Sequence, residues 1–172
     1  RGDLVKNIFM SNINIDYYQT SINYEKYLGF NLVLSDFKKI SICSSQGKEN
    51  LKKAEKIFVI GNKSFHTSSD KLTTAKKDFE EILGSNFTND DLLKLMQSPD
   101  EFYNFDQKIL SNNHGSEFSA RFIKSSIYGT RSTTVMTLDN NNQVEIKEQL
   151  YNLRGEKGKI KKFKFKISDA RK

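Results

Sequence analysis

The sequence predicts an α+β fold, and three patterns carry that prediction. Apolar side chains recur at helical spacing from Leu72 to Leu83, which is typical of a helix that packs one face against a core. Residues 132–138 and 143–147 alternate in the period of half-buried strands. Residues 139–142, Asp-Asn-Asn-Asn, tolerate the left-handed backbone of a tight turn, so the two strands are predicted to form a β-hairpin.

Length and composition favour a single domain spanning residues 1–172. A chain of this length buries about two thirds of its unfolded surface. Cys43 is the only cysteine, which fits a reducing compartment, and no apolar run reaches the roughly 18–20 residues of a membrane helix. The net charge of +7 favours a solvated mixed-charge surface, because the lysines lie among acids and asparagines. The same charge would also suit a mitochondrial matrix protein, a nucleic-acid binder or a member of a large assembly.

The first 45 residues predict two helices followed by two strands. One helix begins the chain, and the second runs from Asp16, as its N-cap, to Gly29. Strands are predicted at 30–34 and 40–43, with Ser41 and Cys43 directed away from the core. The inward-facing residues predicted for the four elements are Leu4, Val5, Ile8, Phe9, Tyr17, Tyr24, Leu28, Phe30, Leu32, Leu34, Ile40 and Ile42.

The middle of the chain predicts one buried strand and two helices. Thr88 and Asp91 have the spacing of a capping box, with Asp in place of the usual Glu, so the second of these helices should begin there. The predicted elements are a loop at 46–55, a strand buried on both faces at 57–60, a helix ending at Gly84, a helix ending before Pro99, an irregular segment at 101–116 and a short strand at 118–122.

A C-terminal strand is predicted from 162 to 167, where lysines alternate with Phe163, Phe165 and Ile167. Lysines discourage pairing with other chains, so this pattern is typical of a strand at the edge of a sheet. The aromatic and basic side chains fall on opposite faces and cannot share one stacking platform. No nucleic-acid partner is therefore predicted.

Few side chains in the sequence carry the chemistry of a catalytic or metal site. His66, His114 and Cys43 are far apart and lack metal-ligand spacing, so no metal site is predicted. His66 precedes two serines without a nucleophile elbow, which favours a loop histidine over a hydrolase. Either histidine could be an axial haem ligand if it faced a pocket. No catalytic residue is predicted.

Tyr128-Gly129-Thr130-Arg131 is the most distinctive turn of the chain, and it leads into the predicted hairpin. Gly129 is free to adopt positive φ between an aromatic residue and an arginine. Such a turn could direct Arg131 across the end of the sheet, either towards a bound anion or towards an internal carboxylate. The residue chemistry leaves both alternatives open.

Three landmarks resemble, in order and approximate spacing, the transport and Golgi organisation protein 2 family, also called the NRDE family. They are residues 1–5, Arg-Gly-Asp-Leu-Val, residues 27–32, Tyr-Leu-Gly-Phe-Asn-Leu, and residues 128–135, Tyr-Gly-Thr-Arg-Ser-Thr-Thr-Val. Members usually carry Gly-Leu-Ser-Asn and then Thr-Pro-Trp, where this chain has His66 to Ser69 and Thr74 to Lys76. The resemblance covers nearly the whole chain.

The resemblance implies an αββα sandwich similar to the N-terminal nucleophile hydrolases. Members begin Met-Cys and carry Asn-Arg-Asp-Glu on their first strands, and this sequence has neither. We therefore expect the chain to be the C-terminal two thirds of the domain, lacking its first strands and completed by an upstream segment or a partner chain. An N-terminal nucleophile needs a free α-amine beside it, which Arg1 and the mid-strand Cys43 do not provide. A non-catalytic protein is expected.

The function that the resemblance implies is haem mobilisation, or lipid and acyl-CoA handling, in the cytoplasm or mitochondrion with a Golgi association. A small anionic amphipathic ligand, with haem as the implied cofactor, would then bind near Arg131. The candidate ligand-binding residues are Arg131, Tyr128, Gly129, Thr130, Asn31 and His66. The alternative is a structural subunit of a large assembly, whose sheet is completed by other polypeptide. An N-terminal nucleophile acylase is a third alternative, and it requires an upstream segment.

Overall fold

The computed structural model describes residues 2–11, 14–27, 29–36, 40–45, 56–61, 70–97, 121–124 and 129–167. The chain divides into two compact units, Arg1–Ser68 and Ser69–Lys172. Each unit contains helices and antiparallel strands, which confirms the α+β class. The single domain and the αββα sandwich remain predictions, and the elements predicted at 46–55 and 101–116 lie outside the described residues.

The first unit consists of a two-stranded antiparallel sheet and short helices. Its elements are α1 (Gly2–Ser11), α2 (Ile15–Ser21), a 3-10 helix (Tyr24–Lys26), β1 (Asn31–Ser35) and β2 (Ile40–Ser44). Leu32 is opposite Cys43 in the ladder and Leu34 is opposite Ser41, so these side chains share a face. The core on this face is formed by Leu4, Tyr18, Ile22, Leu32, Leu34 and Cys43.

The second helix is shorter than the sequence predicts. Asn14, not Asp16, is the N-cap, because its side chain accepts a hydrogen bond from the backbone N–H of Tyr17 at 2.8 Å. Ile22 adopts an extended conformation and is buried in the core, which ends α2 at Ser21. Tyr17 is exposed as a result, and the prediction that it faces inward is wrong.

Several side chains of the first unit lie on the opposite side from the predicted one. Val5 and Phe9 of α1 are exposed, because only the strip of the helix that carries Leu4 is buried in the core. Ser41 and Cys43 are buried, since α1 and α2 cover their face of β2, and Ile40 is exposed at the strand end.

Residues 57–60 are half-buried and not in a strand, so that prediction is also wrong. The side chain of Asn31 donates a hydrogen bond to the carbonyl of Gly61 at 2.7 Å, which holds the end of this segment beside β1. A short apolar run has the same pattern whether it pairs in a sheet or only covers a core. The sequence therefore could not distinguish the two.

The second unit consists of two helices and a three-stranded antiparallel sheet. Its elements are α3 (Asp70–Leu83), α4 (Asn89–Leu95), β3 (Ser132–Leu138), β4 (Gln143–Tyr151) and β5 (Lys157–Lys166). The strand order is β3-β4-β5, which confirms the hairpin and places the lysine-rich β5 at an edge of this sheet. The helix that ends at Gly84 and the capping box at Thr88 are also confirmed.

The two faces of the three-stranded sheet differ in what covers them. On one face, Leu92 and Leu93 of α4 pack with Val135, supported by Phe79 of α3. The strand register places a second set of apolar side chains on the other face, and four of them are 38–56% exposed. We call this set the apolar sheet face, and it consists of Met136, Leu138, Ile146, Phe163 and Phe165.

Asp91 stabilises the start of α4 as a carboxylate. Its Oδ2 accepts hydrogen bonds from the hydroxyl of Thr88 at 2.7 Å and from the Thr88 backbone N–H at 3.0 Å. These bonds, the hydroxyl's first, lower the pKa of Asp91 to about 2. Because this pKa lies below the ordinary value of roughly 3.9, the stabilisation is present above pH ~4 and is lost as the pH falls towards 2.

We therefore expect Asp91→Asn to lower the urea midpoint at neutral pH, and the gap between variant and parent to narrow as the pH falls from about 4 to about 2. Urea unfolding followed by circular dichroism at several pH values measures the gap. Glu80→Gln changes an exposed carboxylate of α3 outside the capping box and serves as the control. A gap of constant size over this range would show that the charge of Asp91 does not stabilise the cap.

Candidate anion-binding site

The turn that leads into β3 is closed by hydrogen bonds on both sides. The backbone N–H of Thr130 donates to the carbonyl of Ile123, and the N–H of Ile123 donates to the Thr130 hydroxyl, each at 2.9 Å. A Cβ on Gly129 would lie 3.1 Å from the carbonyl oxygen of Ile123, so the close approach of the two segments favours glycine. This turn places Arg131 at the start of β3, with its side chain exposed.

The loop between β4 and β5 is organised by Asn152. Its Oδ1 accepts hydrogen bonds from the backbone N–H groups of Arg154 and Glu156, each at 2.9 Å. Gly155 has φ +73° and donates to the Asn152 carbonyl at 3.0 Å. The N–H of Tyr151 donates to the carbonyl of Arg131 at 2.9 Å, so the start of this loop is joined directly to the start of β3.

These two segments line an open depression of about 460 Å³. Its lining residues are Arg131, Asn152, Leu153, Arg154 and Glu156. Among the described residues, no ion pair includes either arginine. Glu156 accepts a hydrogen bond from the side-chain amide of Asn152 at 2.7 Å. The depression thus combines two guanidinium groups with the exposed apolar side chain of Leu153.

The sequence-predicted site residues do not all meet at this depression. Arg131 lines it, whereas Gly129 and Thr130 shape the turn that precedes it. Asn31 lies in the first unit and donates to Gly61. Tyr128 and His66 lie outside the described residues.

Sequence reasoning missed the residues of the β4–β5 loop. An Asn followed three residues later by a Gly, as Asn152 and Gly155 are, is a signal for a turn. That signal does not reveal which strand end the turn lies beside. The proximity of Arg154 to Arg131 depends on the β3–β4 register, in which Ser132 is opposite Leu150.

The chemistry of Cys43 does not favour a nucleophile. The thiol is buried in the core of the first unit, and burial raises its pKa. Burial also raises the pKa of the neighbouring Tyr24 to about 12, and the nearby Cys43 contributes to this shift. A thiol with a raised pKa is mostly protonated at neutral pH and reacts slowly.

The remaining searches concern metals and membranes. In the part of the chain that the structure describes, no group of three or more His, Cys, Asp or Glu side chains could hold a metal ion. None of the described helices combines the length and hydropathy needed to cross a bilayer.

A family model described as "Transport and Golgi organisation 2" matches residues 1–152. The matched range includes Arg131 and Asn152 of the depression and ends before Arg154 and β5. A search of curated proteins found no match.

Proposed function

The chain belongs to the transport and Golgi organisation 2 family, and on this premise we propose that it is a non-catalytic binding protein for a small anionic amphipathic ligand. The family match confirms the resemblance predicted from the three sequence landmarks. The single observation that carries the proposed function is the depression in which Arg131 lies beside the exposed Leu153. Haem is the family-implied ligand, and an acyl-CoA or another lipid-like anion is the alternative within the same class.

The chemistry of the depression supports an anion with an apolar body. An arginine side chain binds carboxylate or phosphate oxygens through two parallel hydrogen bonds. Leu153 offers an apolar contact beside that charge. The net charge of +7 also raises the local concentration of anions around the chain. Haem, which joins carboxylates to a large apolar ring, has this combination of groups.

A non-catalytic role is supported by the nucleophile chemistry that the family fold would require. That chemistry needs a nucleophile beside a free α-amine. The single cysteine, Cys43, is buried with a raised pKa. We propose a location in the cytoplasm or mitochondrion with a Golgi association, on the basis of family membership.

Haem titration tests the proposal. We expect a saturable Soret shift with the parent chain and a Kd raised about tenfold or more in Arg131→Gln, because a hydrogen bond to a charged group contributes about 1.5–3 kcal/mol. Lys162→Gln removes one positive charge from the exposed β5 and should leave the Kd nearly unchanged. If the parent shows no saturable binding of haem or of an acyl-CoA, or if both variants behave alike, the ligand-binding proposal is wrong.

The apolar sheet face favours a second candidate, a structural subunit of a large assembly. Met136, Phe163 and Phe165 each leave about half of their surface exposed, and contiguous exposed apolar side chains mark interaction surfaces. Another polypeptide packed on this face would bury them. Sedimentation analysis separates the two candidates, because a stable, monodisperse monomer that needs no partner would argue against the structural subunit.

A further inference from the structure

Arg154 gives the depression a second guanidinium group, which deepens the proposed ligand-binding function and rests on it. We infer that the depression selects a doubly charged phosphoryl group over a single carboxylate. Arg131 and Arg154 belong to different segments, one at the start of β3 and one in the β4–β5 loop, yet both line the same depression. The question is which anionic group can use both side chains.

The number of acceptor oxygens distinguishes the two classes of anion. A carboxylate has two oxygens, and one guanidinium already occupies both when it binds in the bidentate geometry. The second guanidinium would then lack a matching acceptor. A phosphate monoester has three terminal oxygens and a charge near −2 at neutral pH, so it can accept hydrogen bonds from both arginines and offset both charges.

Hydrogen bonds hold the backbones of the two arginines in a defined relation. Asn152 Oδ1 binds the N–H of Arg154 at 2.9 Å, and the N–H of Tyr151 binds the carbonyl of Arg131 at 2.9 Å. A loop that is already ordered loses less conformational entropy when it binds a ligand. Arg154 therefore differs from an arginine on an unconstrained surface loop.

Glu156 is the one carboxylate that lines the depression. Its Oε2 accepts from the Asn152 side chain at 2.7 Å, which commits one of its oxygens to the loop. Its negative charge opposes any bound anion, and it opposes a dianion about twice as strongly as a monoanion. Glu156→Gln keeps an acceptor oxygen for Asn152 and removes the charge, so it should increase the preference for the phosphoryl group.

The test compares octyl phosphate with octanoate, which share an eight-carbon tail and differ in the headgroup. We expect isothermal titration to show octyl phosphate binding about tenfold more tightly to the parent chain, the difference made by one additional charged hydrogen-bonding partner. Arg154→Gln should remove this preference while octanoate still binds. Arg154→Lys should remove most of it, because lysine keeps the charge and loses the planar fork. Lys162→Gln is the control variant, with an unchanged preference.

The outcomes separate the inference from the function on which it rests. Equal affinities for the two probes in the parent chain, or a preference that survives in Arg154→Gln, would overturn the phosphoryl inference and leave anion binding intact. Binding of neither probe, together with a failed haem and acyl-CoA titration, would overturn both. Circular dichroism of each variant checks that the fold is retained.

Two further arms identify the source of the phosphoryl group, and both sources agree with the inference. Cosedimentation with vesicles of phosphatidylcholine and phosphatidic acid, but not of phosphatidylcholine alone, would indicate a lipid headgroup. Octyl phosphate binding without cosedimentation would indicate a soluble phosphate ester. Competition by inorganic phosphate is expected in either case, and its absence would count against recognition of the phosphoryl group.

Discussion

Replacing Ile42 with alanine is expected to lower the free energy of unfolding by about 2–5 kcal/mol, the range for truncation of a fully buried isoleucine. Ile42 is 0% exposed in β2, opposite Val33 of β1. Alanine would remove apolar surface from the interior and leave a cavity where neighbouring side chains lose their packing contacts. Urea unfolding monitored by circular dichroism measures the loss.

Ile40 is a matched control for this substitution. It is the same residue type in the same strand, two positions away and therefore on the same face, but it is 52% exposed. Ile40→Ala should cost well under half as much as Ile42→Ala, because much of its side chain already contacts water. Equal losses at the two positions would contradict the burial of Ile42.

Replacing Asp78 with asparagine is expected to cost about 2–4 kcal/mol. The Arg121 side chain is only 8% exposed, and its Nη2 lies 2.6 Å from Oδ2 of Asp78 in α3. Its Nη1 is buried without a hydrogen-bond partner, so the guanidinium depends strongly on this one carboxylate. Asparagine would leave a buried charge uncompensated, which costs about 3–5 kcal/mol in fully buried pairs and less here because Asp78 is one-third exposed.

Two comparisons isolate the buried charge as the cause. Glu81→Gln makes the same carboxylate-to-amide change in α3, where Glu81 pairs with Lys77 at 4.0 Å and both side chains are mostly exposed. It should cost no more than about 0.5 kcal/mol. Adding Arg121→Met to Asp78→Asn should recover much of the lost stability, since no charge then remains buried. If the double variant were no more stable than Asp78→Asn, another cause would be needed.

Elements with strong local signals were predicted correctly from the sequence. The capping box is made by Thr88 and Asp91 themselves, so no distant part of the chain is needed to recognise it. The β3–β4 hairpin follows from a turn between two strands that alternate with period two. The edge position of β5 follows from its lysines, because a strand with one charged face can pack on one side only.

Contacts between distant segments decided what the sequence could not. Phe9 has the spacing of a core residue but is 83% exposed, because hydrophobic spacing defines a helical stripe without showing what packs on it. The run at 57–60 is apolar for the same general reason that a strand is, yet it is not paired in a sheet.

The candidate site divides in the same way. The sequence by itself determined that the chain belongs to its family, that it contains a Tyr-Gly-Thr-Arg turn, and that Arg131 is a candidate anion contact. Only the tertiary structure decided that Arg154 lines the same depression, because strand register sets which loop lies beside which strand end. A cation in a turn is visible in one segment, whereas a pair of cations requires two segments to be brought together by the sheet.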